Sequence, residues 1–285
     1  MDSTDRNAVQ ARRVAFLTQH GKQDLVRGPL AAALGCELVH TDAYNTDQLG
    51  TFTREVARPG SQLDAARRKA KLGMALTGAP VGIASEGSFG SDPFWGFMPW
   101  NTELLLWLDP SQNLEVTGLA QGPAQSLHRC VNSLDELMAF AQQARFPAHH
   151  LVLRPDHQDH PDIIKNIQDE PSLLQAFVQV QGRSSSGRVF VENDLRAFCN
   201  PTRQDLIRQA CDDLIRKLQS QCPQCQSPGF WVKSRVAGLP CRVCGQKTRL
   251  PIGEIWHCAQ CQHEEQRATP TPPWADPSRC DFCNP

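Results

Sequence analysis

The feature that most constrains this chain is a set of four Cys-x-x-Cys pairs that all lie after residue 220. The pairs are Cys222/Cys225, Cys241/Cys244, Cys258/Cys261 and Cys280/Cys283. A Cys-x-x-Cys turn brings two thiolates to one metal ion, and Zn²⁺ takes four such ligands in a tetrahedron. The eight cysteines therefore predict two zinc sites of four cysteines each. Because four protein ligands leave no open coordination position, both zinc ions are expected to be structural.

Residues 220–285, which contain these cysteines, hold few aliphatic residues and much Pro and Gly. Such a segment cannot fold on an apolar core alone, so metal binding has to supply the missing free energy. We predict a small zinc-ribbon-like domain over 220–285. The spacing leaves open whether the pairs share ions in sequential, interleaved or nested fashion. The segment has no marked basic excess, so a structural or protein-docking role is favoured over RNA binding.

The composition of the whole chain narrows its class. It has 285 residues and a formal net charge of −1, and no apolar run approaches the roughly 20 residues of a membrane span. Residues 1–12 are polar and predict a disordered tail, not a secretory signal. We therefore expect a cytoplasmic protein without a membrane partner. In a reducing compartment, paired cysteines indicate metal ligands and not disulfides.

Residues 13–219 alternate short apolar runs with stretches of helical spacing. RVAFLT (13–18), CELVH (36–40) and PVGIAS (80–85) are typical of buried strands, and helices are predicted over about 62–78 and 201–219. This alternation predicts an α/β domain with one mixed sheet. An aromatic stretch, SDPFWGFMPWN (91–101), has three interpretations: it stacks on a base, it covers a site, or it is a buried loop packed on the sheet.

Four polar clusters fall at predicted strand ends and helix starts: TQHGK (18–22), LDAARRKA (63–70), SEGSFG (85–90) and NPTR (200–203). Ligands of open α/β sheets bind at such places, and helix N-termini favour phosphate. Lys22 and Arg203 add positive charge there, and Asp64 and Glu86 offer the hard oxygen ligands that Mg²⁺ prefers. Taken singly, each cluster also fits a solvated surface; LDAARRKA, for example, fits a helix with an alanine stripe toward the core.

The order of the four clusters resembles the inosine triphosphate pyrophosphatase superfamily, which includes inosine/xanthosine triphosphatases and Maf-like pyrophosphatases. The chain departs from that pattern at Gln19 and Ala65, where the superfamily has Asn. The resemblance implies Mg²⁺-dependent hydrolysis of a noncanonical nucleoside triphosphate. Asp64 and Glu86 would be catalytic and hold Mg²⁺, with Asp47 or Glu55 as helpers. The implied phosphate-binding residues are Thr18, His20, Lys22, Arg68, Lys69 and Arg203.

Over nearly its whole length the chain resembles more closely an uncharacterised bacterial family known only as a domain of unknown function. The shared motifs are HGK, GTFTRE, ARRKA, SEGSFG, PWNTE, NPTR and the terminal CDFCNP. That family brings no established activity, so two alternatives to the hydrolase stay open. One is a non-enzymatic module that binds a nucleotide or another anion and docks a protein or RNA through its zinc ribbon. The other is an enzyme that acts on nucleic-acid-linked phosphate.

Overall fold

The computed structural model describes residues 12–46, 60–268 and 273–285. Most of the predicted tail 1–12, the motif GTFTRE and the proposed helpers Asp47 and Glu55 lie outside these residues. The chain divides into two compact units, one that runs to Ile215 and one that begins at Arg216. None of the helices in the described part of the chain combines the length and the hydropathy that a bilayer span requires.

The first unit contains a five-stranded mixed sheet. Its strands are β1 (Arg13–Leu17), β2 (Glu37–Thr41), β3 (Val81–Ser91), β4 (Pro99–Asp109) and β5 (Leu114–Pro123), in the spatial order β2-β1-β3-β4-β5. β1 runs parallel to both β2 and β3, whereas β4 and β5 continue the sheet in antiparallel fashion. The three parallel strands follow one another through helices, β1 to β2 and then β2 to β3, as short connections cannot link parallel strands.

Helices α1 (Lys22–Leu34) and α2 (Gln62–Thr77) make these connections, and each ends at a glycine in the left-handed conformation. α2 begins with a capping box, in which Ser61 and Asp64 satisfy each other's backbone N–H groups. Its buried alanines Ala66 and Ala70 pack on the sheet face that carries Ala84 and Leu104. The chain moves in one direction across the sheet from β1 to β2 and in the other direction from β2 to β3. Because both crossovers are right-handed, α1 and α2 lie on opposite faces of the sheet.

A second sheet in the first unit corrects the expectation of a single mixed sheet. Strands β6 (His128–Val131), β7 (Leu151–Pro155), β8 (Ile164–Ile167) and β9 (Val189–Asn193) form an antiparallel sheet in the order β6-β9-β7-β8. Helices α3 (Leu134–Gln143) and α4 (Glu170–Gln181) share an apolar core with it. The local patterns predict strands at 150–154 and 188–192, which correspond to β7 and β9, but they do not predict β6 and β8. Sheet membership depends on pairings between distant segments.

β3 also corrects a prediction. SEGSFG was expected to end the strand, yet Ser85–Ser91 continue it and pair residue by residue with β4. The tight connection that follows holds its aromatic side chains outward, so the buried-loop interpretation is wrong: Phe94, Trp95 and Phe97 are each 71–74% exposed. The Asp92 carboxylate accepts four backbone N–H groups of this loop, and these bonds lower its pKa to about 2.

The last long helix, α5 (Pro201–Gln219), begins as predicted, with Asn200 Oδ1 accepting the N–H of Arg203 at 3.0 Å. In the second unit, strands β10 (Trp231–Ala237), β11 (Pro251–His257) and β12 (Glu264–Ala268) form an antiparallel sheet. The eight paired cysteines lie in the turns and termini around this sheet.

Candidate functional site

The candidate site lies where β3 extends beyond the end of its neighbour β1. The last β1–β3 pair is Phe16 with Ile83, so no strand among the residues that the structure describes lies beside residues 85–87 on that edge. β2 and β3 lie on either side of β1, and the helices that lead to them cross opposite faces of the sheet. The carboxyl ends of β1 and β3 therefore form a topological switch point. Ligands of open α/β sheets bind at such crevices.

On the face of β3 that carries Ser85, the buried Lys22 side chain reaches across from the start of α1. Its Nζ donates to Ser85 O at 2.9 Å and to Ser85 Oγ at 3.2 Å. Burial, and then the nearby Arg203 guanidinium, lowers the pKa of Lys22 to about 7. The Lys22 amine therefore changes between its charged and neutral forms near neutral pH.

The same face holds a buried ion pair. Arg203 Nε donates to Glu103 Oε1 at 2.7 Å, and Arg203 Nη1 donates to Leu195 O at 2.5 Å. Asn101 Nδ2 donates to the same Glu103 oxygen at 3.1 Å. Gly87 makes room for this arrangement, since a Cβ there would come within 2.4 Å of Glu103 Oε1 and 2.5 Å of Arg203 Nη2.

Glu86 points to the other face of β3, toward α2, because successive strand residues alternate. Lys69 Nζ lies 2.5 Å from Glu86 Oε1. Gln62, in the first turn of α2, donates to Glu86 O at 2.7 Å. The segment LDAARRKA thus meets SEGSFG, as the order of the motifs predicts.

Asp64, the predicted Mg²⁺ ligand, takes part in the capping box at the start of α2. Its Oδ2 accepts from Ser61 N at 3.2 Å and from Ser61 Oγ at 2.6 Å, while Oδ1 lies 3.3 Å from Arg67 Nη1. The hydrogen bonds from Ser61 are the main reason why the pKa of Asp64 is lowered. The carboxylate is 48% exposed and serves the helix terminus.

We call the set of charged residues around residues 85–87 the β3 site: Lys22, Lys69, Glu86, Glu103 and Arg203. The four other charges all act on Lys22, with Arg203 and Lys69 lowering its pKa and Glu103 and Glu86 raising it. When Lys22 is protonated, Lys22 and Arg203 against Glu103 leave a formal charge of +1 on one face of β3, while Lys69 and Glu86 balance each other on the other face. Within this set, only the Lys69 side chain, at 15%, is appreciably exposed.

The remaining predicted phosphate-binding residues are Thr18, His20 and Arg68, and the contacts described for them are outside the β3 site. Thr18 is buried at the end of β1, where its N–H donates to Thr41 O. The His20 ring stacks on Phe198 with ring centres 6.3 Å apart. Arg68 is half-buried on α2.

A cleft of about 310 Å³ adjoins the β3 site between the β3–β4 hairpin and the second sheet. Phe89, Phe97, His128 and Glu192 are among its lining residues. The Arg203 guanidinium lies 5.8 Å from the centre of the Phe89 ring. Leu195, whose carbonyl oxygen accepts from Arg203, also lines the cleft, so the cleft is connected to the ion pair through both Phe89 and Leu195.

The paired cysteines form two groups of four, each able to hold one metal ion, and the pairing is interleaved. We call Cys222/Cys225/Cys258/Cys261 the first thiolate site and Cys241/Cys244/Cys280/Cys283 the second thiolate site. Contacts between sulfurs of different pairs are 3.6 Å in the first site and 3.6 and 3.9 Å in the second. Sulfurs at the corners of a tetrahedron with Zn–S bonds of about 2.3 Å would be about 3.8 Å apart. The spacing therefore fits a bound ion and is too long for a disulfide.

The turns themselves share one backbone form. In three of the four pairs, the residue after the second cysteine has positive φ: Gln226, Gly245 and Gln262. In each of these turns that residue donates its N–H to the carbonyl oxygen of the first cysteine. A repeated left-handed residue in this place indicates that all these turns are shaped to hold two sulfurs toward the same point.

The sequence model of a domain of unknown function, DUF6671, matches residues 69–285. The chain belongs to the DUF6671 family. No curated protein matches it. The part of this DUF6671 protein that matches includes Lys69, Glu86, Arg203 and all eight paired cysteines, whereas Lys22 and Asp64 precede it.

Sequence reasoning missed Glu103 in this DUF6671 protein, although a signal was present. In NTELLLWL, strand alternation gives Glu103 the same face as Leu105 and Trp107, both of which are fully buried. An acidic residue on a buried face requires a charged or hydrogen-bonded partner. The pattern thus indicated that a cation had to approach this strand, but not that the cation was Arg203.

Proposed function

We propose that the β3 site binds the phosphate groups of a nucleoside triphosphate or a related phosphoanhydride. The observation that carries the proposal is the formal excess of positive charge among largely buried groups, located at a topological switch point. A buried excess of cations is costly unless an anion joins them. Phosphate oxygens would accept hydrogen bonds from Lys22 and Arg203, which lie on the same face of β3, and the cleft lined by Phe89 and Phe97 is large enough to take the nucleoside.

Hydrolysis of that ligand is the second candidate, and the resemblance to inosine triphosphate pyrophosphatases is its origin. The observation that favours it is the bond from Gln62 to Glu86 O, because it ties the turn that carries Asp64 to the strand that carries Glu86. The residues do not fit a prepared Mg²⁺ site, however. Asp64 is engaged with Ser61 and Arg67, and Glu86 with Lys69. We therefore assign no step to Mg²⁺ held by the protein alone.

Calorimetric titration with ITP, GTP, ATP and pyrophosphate, with and without Mg²⁺, tests binding. Lys22→Met should weaken binding at least tenfold, whereas Lys71→Met, which removes an exposed charge from the same neighbourhood, should leave it unchanged. Absence of binding by any of the four compounds would refute the proposal. Release of phosphate or pyrophosphate that is lost in Asp64→Ala or Glu86→Gln would support the hydrolase; binding without release would leave the non-enzymatic module.

We also propose that both thiolate sites hold structural Zn²⁺. All eight ligands are sulfur, which suits zinc in a tetrahedral site, and no ligand position is left for a substrate. In the first thiolate site, Phe230 and Trp256 pack against the cysteines, and the Arg267 guanidinium lies 4.1 Å from the Trp256 ring centre. Elemental analysis should give two zinc ions per chain, and well under two would contradict the assignment.

A further inference from the structure

The two thiolate sites differ in the residues that their turns expose. In the second thiolate site, the third position of each Cys-x-x-Cys turn carries an apolar side chain: Val243, which is 70% exposed, and Phe282, which is 74% exposed. In the first thiolate site, the equivalent positions carry Gln224 and Gln260, which are also exposed.

This internal comparison shows that the turn itself does not require an apolar residue at that position. In all four turns the residue after the second cysteine donates its N–H to the carbonyl oxygen of the first cysteine, and in the first thiolate site the third position of such turns is filled by exposed glutamine. Exposing valine and phenylalanine has no benefit for the metal site, because neither side chain is a ligand nor buried against one. Val243 and Phe282 belong to the two turns whose sulfurs meet, with Cys241 Sγ 3.9 Å from Cys283 Sγ and Cys244 Sγ 3.6 Å from Cys280 Sγ. Exposed apolar side chains that are grouped on neighbouring turns typically mark an interaction surface.

A third apolar side chain adjoins the same site. Trp274 is 53% exposed and precedes Ala275. The Ala275 N–H donates to Pro240 O at 2.8 Å, and Ala275 O accepts from the Arg242 N–H at 3.0 Å. These bonds fix Trp274 beside the first turn of the second thiolate site. Tryptophan and phenylalanine are enriched among the residues that dominate protein–protein binding energy.

The charges around this surface argue for a protein partner over a nucleic acid. Arg249 lies 2.9 Å from Asp281, and Arg242 and Arg279 both act on the carboxylate of Asp276, whose pKa they help to lower. The three arginines face two carboxylates and the charge of −2 that four thiolates and one Zn²⁺ would carry together, so this surface lacks the basic stripe on which nucleic-acid affinity depends.

The size of the surface argues against a permanent dimer. A standard interface involves about 20–30 residues from each side. Val243, Trp274 and Phe282 are three side chains, and the residues between them in the two turns are polar or charged. An area of this size fits a short segment that inserts a few apolar side chains, as in other peptide-recognition modes.

We propose that the second thiolate site docks a short apolar segment of a partner protein, which lies across Val243 and Phe282 beside Trp274. The metal holds the two turns at the spacing that the segment requires, so binding depends on the loaded site. This inference does not rest on the β3 site, and it stands or falls independently of nucleotide binding.

The probe is a displayed library of random linear peptides, selected on the full-length, metal-loaded protein. Selected peptides should contain apolar side chains, and by fluorescence anisotropy they should bind the double variant V243Q/F282Q at least tenfold more weakly. That variant copies the first thiolate site and should retain two metal ions per chain, which checks its folding. The matched control, Gln224→Ala/Gln260→Ala, should bind like the wild type.

Several results would overturn the proposal. One is a selection that enriches no apolar peptide; another is binding that V243Q/F282Q leaves unchanged. A third is a concentration-dependent dimer in sedimentation that V243Q/F282Q abolishes, since the occupant would then be a second copy of the chain. Binding of a single-stranded RNA 12-mer that the same variant weakens would assign the surface to nucleic acid.

Discussion

Arg203 Nε lies 2.7 Å from Glu103 Oε1, although the two residues are 100 positions apart and neither side chain is more than 1% exposed. This ion pair joins the start of α5 to strand β4 of the mixed sheet. Gly87 is the residue of β3 that pairs with Glu103. A buried pair of opposite charges is stable only if the two groups remain in contact and their other hydrogen-bonding atoms are also satisfied. The ion pair is therefore the point at which the β3 site is most sensitive to substitution.

We expect Glu103→Gln to lower the free energy of unfolding of the first unit by about 3–5 kcal/mol, because it leaves Arg203 buried without a counter-charge. The double variant Glu103→Leu/Arg203→Leu removes both charges and should lose much less. Urea denaturation followed by circular dichroism measures both. A loss below about 1 kcal/mol for Glu103→Gln would mean that water reaches Arg203.

Gly87 provides the second prediction. Alanine at this position places its Cβ inside contact distance of Glu103 and Arg203, and overpacking of this kind costs about 1–3 kcal/mol. Gly90, three residues further along the same strand, has no atom within 4 Å of an added Cβ. Gly90→Ala should therefore be neutral or slightly stabilising. Equal thermal shifts for the two variants would show that the ion pair adapts to the methyl group.

Lys22 should make stability depend on pH. Its pKa of about 7 in the folded chain is below the ordinary value of 10.5, so between these values the unfolded chain binds more protons. The free energy of unfolding should then rise with pH over this range, by at most about 1.4 kcal/mol per pH unit. Lys22→Met should be more stable than the wild type at pH 7 and lose this advantage toward pH 10. The exposed-site control Lys71→Met should show a constant difference, and the same constancy in Lys22→Met would contradict the burial of a titrating ammonium group.

The proposed phosphate binding should have the opposite dependence on pH. An anion at the β3 site stabilises the charged form of Lys22, so binding should take up a proton when it occurs above pH 7. Pyrophosphate affinity should consequently fall as the pH is raised from 7 to 9. Calorimetry in buffers of different ionisation enthalpy measures the proton uptake. Affinity that is independent of pH, or proton release, would exclude Lys22 from the phosphate contacts.

The interleaved cysteine pairing can be tested by counting metal ions. Cys222→Ser/Cys258→Ser removes two ligands from the first thiolate site and should cost one ion per chain. Cys222→Ser/Cys241→Ser removes one ligand from each site and should cost up to two ions. Sequential pairing would reverse these results, and nested pairing would affect both sites in both variants. Elemental analysis of the purified variants distinguishes the three arrangements.

Local patterns predicted the parts of the fold whose causes are local. Ser61 and Asn200 begin α2 and α5 because a side-chain oxygen can accept a nearby backbone N–H, and Gly35 and Gly78 end helices because glycine adopts positive φ without strain. The alternation of strands and helices likewise predicted an α/β unit. The same patterns did not show that β6–β9 form a sheet of their own, because pairing joins segments that are distant along the chain.

The candidate site likewise has residues that local motifs predicted and residues that only the structure showed. The motifs around Lys22, Lys69, Glu86 and Arg203 were recognisable from their order, and the structure brings them to one stretch of β3. The sequence also drew attention to Asp64, yet the capping box uses that carboxylate at the helix terminus. Glu103 was overlooked because its importance depends on Arg203, which lies 100 positions later in the chain.

From the sequence alone, eight thiols in four pairs and few aliphatic residues predict that residues 220–285 use metal as a source of folding free energy. The sequence also predicts the α/β character of the first unit and the polar clusters at its strand ends. The tertiary structure adds which cysteine pairs come together, which face of β3 each charge occupies, and that Val243 and Phe282 are exposed. These depend on distances between remote segments, and no spacing along the chain encodes those distances.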